Sequence, residues 1–231
     1  SAAKAPMKLL VYTAVIDYQD ILVDPIPNLC GVDKICFTDM DYVEKSKFAF
    51  VRVDPSGETA SKKQRHVKIH WPQVFNEYEY SLYMDSGVEL LTDPNIFIDM
   101  LGDKDLLLFD HYRRDCLYEE ARECLVRGLG DSQEITAQVS HYLSEGYPSH
   151  NGLYGCTVLF RRHTEAMRDF SERWWKEVQR FSSRDQISFP YVKWETGFQV
   201  ATFPVRWHNN SWFVWHRPKL KKSKFVGREG K

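Results

Sequence analysis

Short apolar runs separated by polar loops set the pattern along this chain. Residues 8–16 form a β-branched run too short for a buried helix, so they read as a strand, and 34–39 and 48–53 repeat the pattern. Residues 59–70 follow as a helix with a basic face, carrying Lys62, Lys63, Arg65 and Lys68. The next apolar run, 80–85, reads as a strand that stops at Asp85-Ser86-Gly87. Asp93 and Pro94 predict a helix start running to about Leu101, because an Asp side chain accepts from orphan N–H groups and Pro lacks one. Residues 105–110 read as a buried strand, 115–145 as mostly helical, and 153–160 as a late strand beyond the break at Gly146-Tyr147-Pro148. His163 to Phe181 is the clearest helix, with Met167, Phe170, Trp174, Val178 and Phe181 on one stripe that reads as core.

Strands alternating with helices predict an α/β fold, a mixed, mainly parallel sheet flanked by helices. Ligands in such folds bind beyond the carboxyl ends of the strands. The polar residues that matter are those just past each run: Asp17, Thr38, Asp39, Asp85, Asp110 and His111. One domain over 7–216 accounts for this pattern. Residues 1–6 read as an added leader, and 217–231 as a basic tail or a linker to further domains.

Composition narrows the partners. Lys plus Arg is 31 against 32 for Asp plus Glu, so no global field favours nucleic acid. The five cysteines include no CxxC pair, which predicts neither a disulfide framework nor a zinc site and fits a reducing, cytoplasmic compartment. No apolar run reaches membrane-spanning length.

The sharpest chemical signal is Asp85. A carboxylate ending a hydrophobic strand, followed by small residues such as Ser86, suits a divalent cation that shares a diphosphate. An ordinary Asp-Ser-Gly turn accounts for the segment alone equally well. Arg65 and Lys68, on the basic helix just before this strand, could meet diphosphate oxygens, whereas Lys62 and Lys63, one turn earlier, are expected to be solvated. The loop 149–152, with Asn151, should face the same edge. Arg184-Asp185-Gln186 opens a short segment to Glu195 whose aromatics suit packing. His208 and His216 lie among aromatics and are each either a further metal ligand or a structural hydrogen-bonding residue.

A strand-terminal Asp of DxD type, a basic helix before it and a later Asp-Gln pair resemble glycosyltransferases of the GT-A fold. More specifically, YSLYMDSGVELLTDPNIFI at 80–98 and RDQISFPYV at 184–192, with Phe37-Thr38-Asp39, resemble the glycosyltransferase-like family that includes plant mucilage- and ceramidase-related proteins. They are also similar to a small glycosyltransferase domain of a chlorella-virus protein. The resemblance runs from about Met7 to His216 and implies a GT-A-like fold, a UDP-sugar donor, a glycan acceptor, and Mn²⁺ or Mg²⁺. The viral likeness implies UDP-glucose or UDP-L-rhamnose, a capsid glycan and the host cytoplasm. Carried over, Tyr12 and Thr13 would border the base, Asp39 the uridine, and Arg65 the diphosphate. Asp85 would contact ribose and metal, and Asp185 and Gln186 would face the donor sugar. Gly87 stands where the usual motif has a second carboxylate, so the metal would rest on Asp85, a histidine and water.

An inverting transferase needs a base beside the acceptor hydroxyl, for which Asp185 is the candidate with Glu195 behind it. A retaining one would use Asp185 to stabilise the anomeric centre. Two rivals remain in view. A sugar-nucleotide pyrophosphorylase would need a Gly-rich loop after the first strand, and residues 12–20 contain no glycine. A non-catalytic carbohydrate-binding protein would use the aromatic segment 207–217 and ignore nucleotides.

Overall fold

The computed structural model describes residues 8–17, 22–25, 29, 31–42, 45–208, 210–216 and 225–226. Residues 1–7, Cys30 and most of the residues after His216 lie outside them. In chain order the elements begin with β1 (Leu9–Val15), β2 (Asp33–Thr38), β3 (Asp41–Tyr42), β4 (Ala49–Arg52), α1 (Ala60–His70), α2 (Pro72–Glu77), β5 (Tyr80–Met84) and β6 (Val88–Leu90). They continue with α3 (Ile96–Leu101), β7 (Leu106–Asp110), α4 (Leu117–Arg127), α5 (Ser132–Ser144), β8 (Tyr154–Arg162), α6 (Glu165–Arg180) and α7 (Asp185–Thr196). The last are β9 (Ala201–Thr202), β10 (Phe213–Trp215) and β11 (Phe225–Val226), the last pairing with β3.

Seven strands form the central sheet in the order β4-β2-β1-β5-β8-β7-β9. The β1–β2, β1–β5, β2–β4 and β7–β9 pairs are parallel, and β8 runs against both β5 and β7. Every residue of β1 is buried, as a central strand covered on both faces requires. The chain builds β2 and β4 on one side of β1, then returns through α1 to lay β5 on the other. That reversal opens a crevice at the carboxyl ends of β1 and β5, where ligands settle in doubly wound sheets. This mixed, mainly parallel sheet flanked by helices is the expected architecture and is compatible with a GT-A-like fold.

Successive β1 side chains alternate between two cores. Leu10, Tyr12 and Ala14 pack with α1, α6 and α7, and Leu9, Val11 and Val15 pack on the other face with Phe97, Phe109 and Phe213. The α6 stripe is core throughout, from Met167 at 0% exposed to Phe181 at 8%. Some predicted boundaries shift. Asn95 rather than Asp93 caps α3, while Asp93 Oδ1 accepts from Asn95 N–H at 2.9 Å. The helical stretch 115–145 divides at Gly128, whose left-handed φ of 64° ends α4, and Asp131 caps α5 through Oδ1. Residues 185–196 form a true helix despite Pro190, which stands five residues past the first helical position. Among the described residues no helix is long and apolar enough to cross a membrane.

Candidate active site

The crevice is lined by ends of elements. Val15 ends β1, and Asp17 follows in the left-handed region at φ 59° with its N–H donating to Asp39 Oδ1 at 3.1 Å. That bond ties the mouth of β1 to the mouth of β2 and holds Asp39 at the predicted edge. Met84 ends β5, and the Asp85 N–H donates to the Thr157 carbonyl of β8 at 2.9 Å, which keeps the Asp85 carboxylate beside the sheet. Ser86 is buried, and its carbonyl accepts from Val23 N–H at 2.9 Å, so the 22–25 loop lies over this turn.

Helix α1 brings the cations. Thr59 caps it by accepting from Lys62 N–H, and the one-turn spacing of Arg65 and Lys68 puts both on the side facing α7 and Asp85. Lys68 Nζ lies 2.6 Å from Asp185 Oδ2 and 3.6 Å from Asp85 Oδ1. Arg65 Nε lies 3.2 Å from the same Asp185 oxygen, an ion pair without an aligned hydrogen bond. Tyr83 O–H donates to Asp85 Oδ1 at 2.9 Å. One lysine thus bridges carboxylates that are a hundred positions apart in the chain.

The electrostatics follow from burial. The side chains of Lys68 and Asp185 are 2% and 7% exposed, whereas that of Asp85 is 36% exposed. Burial alone would raise the Asp185 pKa, but Arg65 and Lys68 outweigh it and hold the carboxyl at about 2. Burial likewise works against the Arg65 charge, yet Asp185 and Asp85 hold that pKa above the ordinary guanidinium value. Burial, followed by Asp85, pushes the Tyr83 phenol well above its usual value, so it acts as a donor. Burial does the same to the Cys156 thiol beneath the cluster and leaves it a poor nucleophile.

A third layer holds Lys68 in place. Arg161, 1% exposed, donates to the Lys68 carbonyl at 2.9 Å and the Ile69 carbonyl at 3.2 Å. Tyr12 O–H donates to the same Lys68 carbonyl at 2.9 Å and also meets the Arg161 guanidinium. This buried cation has the carbonyl end of α1 as its counter-charge, which the helix dipole favours.

Several expected residues sit elsewhere. Tyr12 and Thr13 are mid-strand and buried rather than at the strand's end, and Tyr12 faces α1 instead of the crevice. Glu195 ends α7, about 15 Å along the axis from Asp185, and pairs with Arg173 at 2.7 Å, so it does not stand behind Asp185. Lys62 is not solvated: its side chain is 5% exposed and reaches Glu134 at 2.8 Å, fastening α1 to α5. Gln186 is at the right end of α7, its N–H donating to Asp185 Oδ1 at 3.1 Å. Asn151 is exposed at the predicted edge, because β8 runs antiparallel and its first residue, Tyr154, pairs with Asp110.

The histidines separate. His216 N–H donates to the Gly87 carbonyl at 2.9 Å, next to the Asp85 turn, while its Nε2 meets Glu89 Oε2 at 2.6 Å. His208 Nε2 lies 3.1 Å from the Tyr112 hydroxyl, with its ring stacked on Trp207. Among the described residues no three His, Cys, Asp or Glu side chains gather to hold a metal. Asp85, its side chain 36% exposed, is the carboxylate beside this turn that a cation shared with a diphosphate would meet.

Sequence reasoning missed the β6–β10 ribbon that sets His216 and Trp215 beside the Asp85 turn, with Val88 opposite Trp215. The aromatic, β-branched triplet Phe213-Val214-Trp215 was a strand signal, but its partner could not be read from it. It also missed a buried cluster behind α7, where Arg114 grips Glu120 at 2.6 Å and Arg184 approaches to 3.9 Å.

The crevice therefore gathers an edge carboxylate, Asp85, with Arg65 and Lys68 of α1 and the buried Asp185 of α7. The family model for the TOD1/MUCI70 glycosyltransferase-like domain matches residues 36–211, and the chain belongs to that family. The chain is also 31% identical over 133 residues to a protein of Arabidopsis thaliana named "Probable hexosyltransferase MUCI70", a match covering 52% of this chain. It spans only 23% of that relative's length. The matched family region includes Asp39, Arg65, Lys68, Asp85, Asp185 and His208, whereas β1 and His216 lie outside it.

Proposed function

We propose that this domain transfers a hexosyl group from a UDP-sugar to a glycan acceptor. The observation that carries the reading is Lys68, which reaches both Asp85 and Asp185 at the carboxyl edge of the sheet in a chain of glycosyltransferase-like family. The donor's uridine would lie over the Asp17–Asp39 mouth and its diphosphate would run toward Asp85, Arg65 and Lys68. UDP-glucose and UDP-L-rhamnose are the donors to test first.

In the transfer the anomeric carbon gains oxocarbenium character while negative charge grows on the departing diphosphate. Arg65 and Lys68 are already ordered and shielded from water, so they stabilise that charge with little reorganisation. Mn²⁺ or Mg²⁺, held through Asp85 with His216 or His208 nearby, would supply further neutralisation of the leaving diphosphate. Asp185 suits a positioning and electrostatic role better than that of general base, since a carboxyl held at about 2 accepts protons poorly near neutral pH.

A thermal-shift panel tests the reading. UDP with Mn²⁺ should raise the melting temperature more than GDP, CDP or TDP does. At one hundred times its dissociation constant the gain is roughly 2.7 kcal/mol, or about 5–10 °C for a chain this long. Identical melting with every nucleotide would sink the transferase reading and favour a lectin-like protein.

A further inference from the structure

We propose that Trp207 and Trp215, with Tyr112 and His208 at their rim, form the acceptor subsite, a stacking platform for one pyranose ring of the glycan. This rests on the transferase reading above and adds where the acceptor sits. The two indole centroids are 4.4 Å apart with their planes tilted by 49°, and the His208 ring lies 3.6 Å from Trp207 and 5.1 Å from Tyr112.

Core packing accounts for these rings only in part: Trp207 is half-buried against the core, whereas Trp215 is exposed. Phe213 and Trp215 share one face of β10, yet Phe213 is 1% exposed and Trp215 38%. The apolar face therefore continues past the core to the ligand edge and ends in a partly exposed indole packed on Trp207. Beneath the indoles is a small cavity lined by Val88, Phe109, Thr157, Val158 and Phe213. Its wall is tied to the active site, because the Thr157 carbonyl accepts the Asp85 N–H at 2.9 Å and Val88 pairs with Trp215.

The chemistry favours a sugar. A pyranose presents a flat C–H face that stacks on indole and a rim of hydroxyls that need partners. The His208 imidazole and the Tyr112 hydroxyl, 3.1 Å apart, are polar groups at that rim. Position favours the acceptor over the nucleotide. The base region lies at β1 and β2 on one side of β5, and the platform lies at β6, β10 and the end of β7 on the other. Asp85 stands between them, where the transferred sugar must pass from one to the other.

The test is saturation-transfer NMR of the full chain with methyl gluco-, galacto-, xylo- and rhamnopyranosides, with and without saturating UDP and Mn²⁺. At least one glycoside should bind in the presence of UDP. Trp215→Leu and Trp207→Leu should each weaken that binding about tenfold or more, and Trp215→Phe should restore part of it. The UDP-induced melting shift should be unchanged in all three. If UDP binds but no glycoside does, or if the Leu variants bind glycosides like wild type, the platform assignment is overturned while the transferase reading stands. If saturating UDP expels the glycoside, the platform is part of the nucleotide site and the assignment is likewise overturned. Glycoside binding that depends on the tryptophans in a protein blind to UDP would keep the sugar platform and overturn its acceptor role together with the transferase reading.

Discussion

Replacing Asp185 by Asn keeps the side chain's shape and removes one charge from a buried cluster. In wild type, Lys68 at 2.6 Å and Arg65 at 3.2 Å share its Oδ2. At an effective dielectric near 20, a pair at that lysine distance attracts by roughly 6 kcal/mol, while desolvation costs several kcal/mol for each ion. The intact pair is therefore worth little net, but breaking it strands two buried cations. Asp85, 3.6 Å from Lys68, offsets only part of that. The expected loss is about 3 kcal/mol, the low end for a broken buried pair, or a melting temperature lower by roughly 10 °C. The pH dependence has a definite sign. The folded carboxyl titrates at about 2, below the roughly 3.9 of an unfolded Asp. Its contribution is therefore complete above pH about 4 and disappears as pH falls toward 2, whereas the variant should lack this component of the acid transition. The freed cations should also bind diphosphate more readily, so the UDP-induced shift should grow while turnover falls. Urea titrations from pH 2 to 7 with a parallel UDP titration check this. A variant within about 0.5 kcal/mol of wild type at pH 7, with a superimposable acid limb, would refute the ion-pair argument, since that is the range of an ordinary surface substitution.

Asp85→Ala should leave the melting temperature near wild type, because the carboxylate is partly open, and should abolish UDP-sugar turnover in a UDP-release assay; retained turnover would remove Asp85 from the site. Mn²⁺ should bind weakly to the nucleotide-free protein and more tightly with UDP, with reciprocal coupling by calorimetry; tight binding without nucleotide would show that carboxylates beyond Asp85 hold the metal. His208→Ala and His216→Ala, measured the same way, should identify which histidine lowers Mn²⁺ dependence while sparing metal-free UDP binding. His163, bonded to Ser81 and the Tyr78 carbonyl, has its pKa lowered to about 3, chiefly by burial and then by Arg161. Unfolding therefore takes up a proton below pH about 6.5, so stability should fall between there and pH 3, and His163→Gln should flatten that slope.

The alternation of apolar runs and helical stripes by itself determined most of the architecture. A run such as 9–15 has no face that tolerates water and must be a central strand. Once the strands are parallel, their carboxyl ends define the ligand edge, which is why Asp39, Asp85 and Asn151 were legible as edge residues. The Asp185 helix was legible only as a short packed segment, since Pro190 masks its helical pattern. What tertiary structure decided was pairing. Periodicity assigns a residue to a face but not to a partner, so it could not show that Lys68 bridges Asp85 and Asp185, or that Lys62 is buried against Glu134. It placed Glu195 behind Asp185 because a short segment of unassigned conformation can fold back, whereas a helix holds its two ends apart. The β6–β10 ribbon is of the same kind: it joins Glu89 to His216 across 127 positions and sets Trp215 beside the Asp85 turn. Contacts at that separation depend on how the whole sheet closes, and no local pattern of hydrophobic and polar residues encodes them.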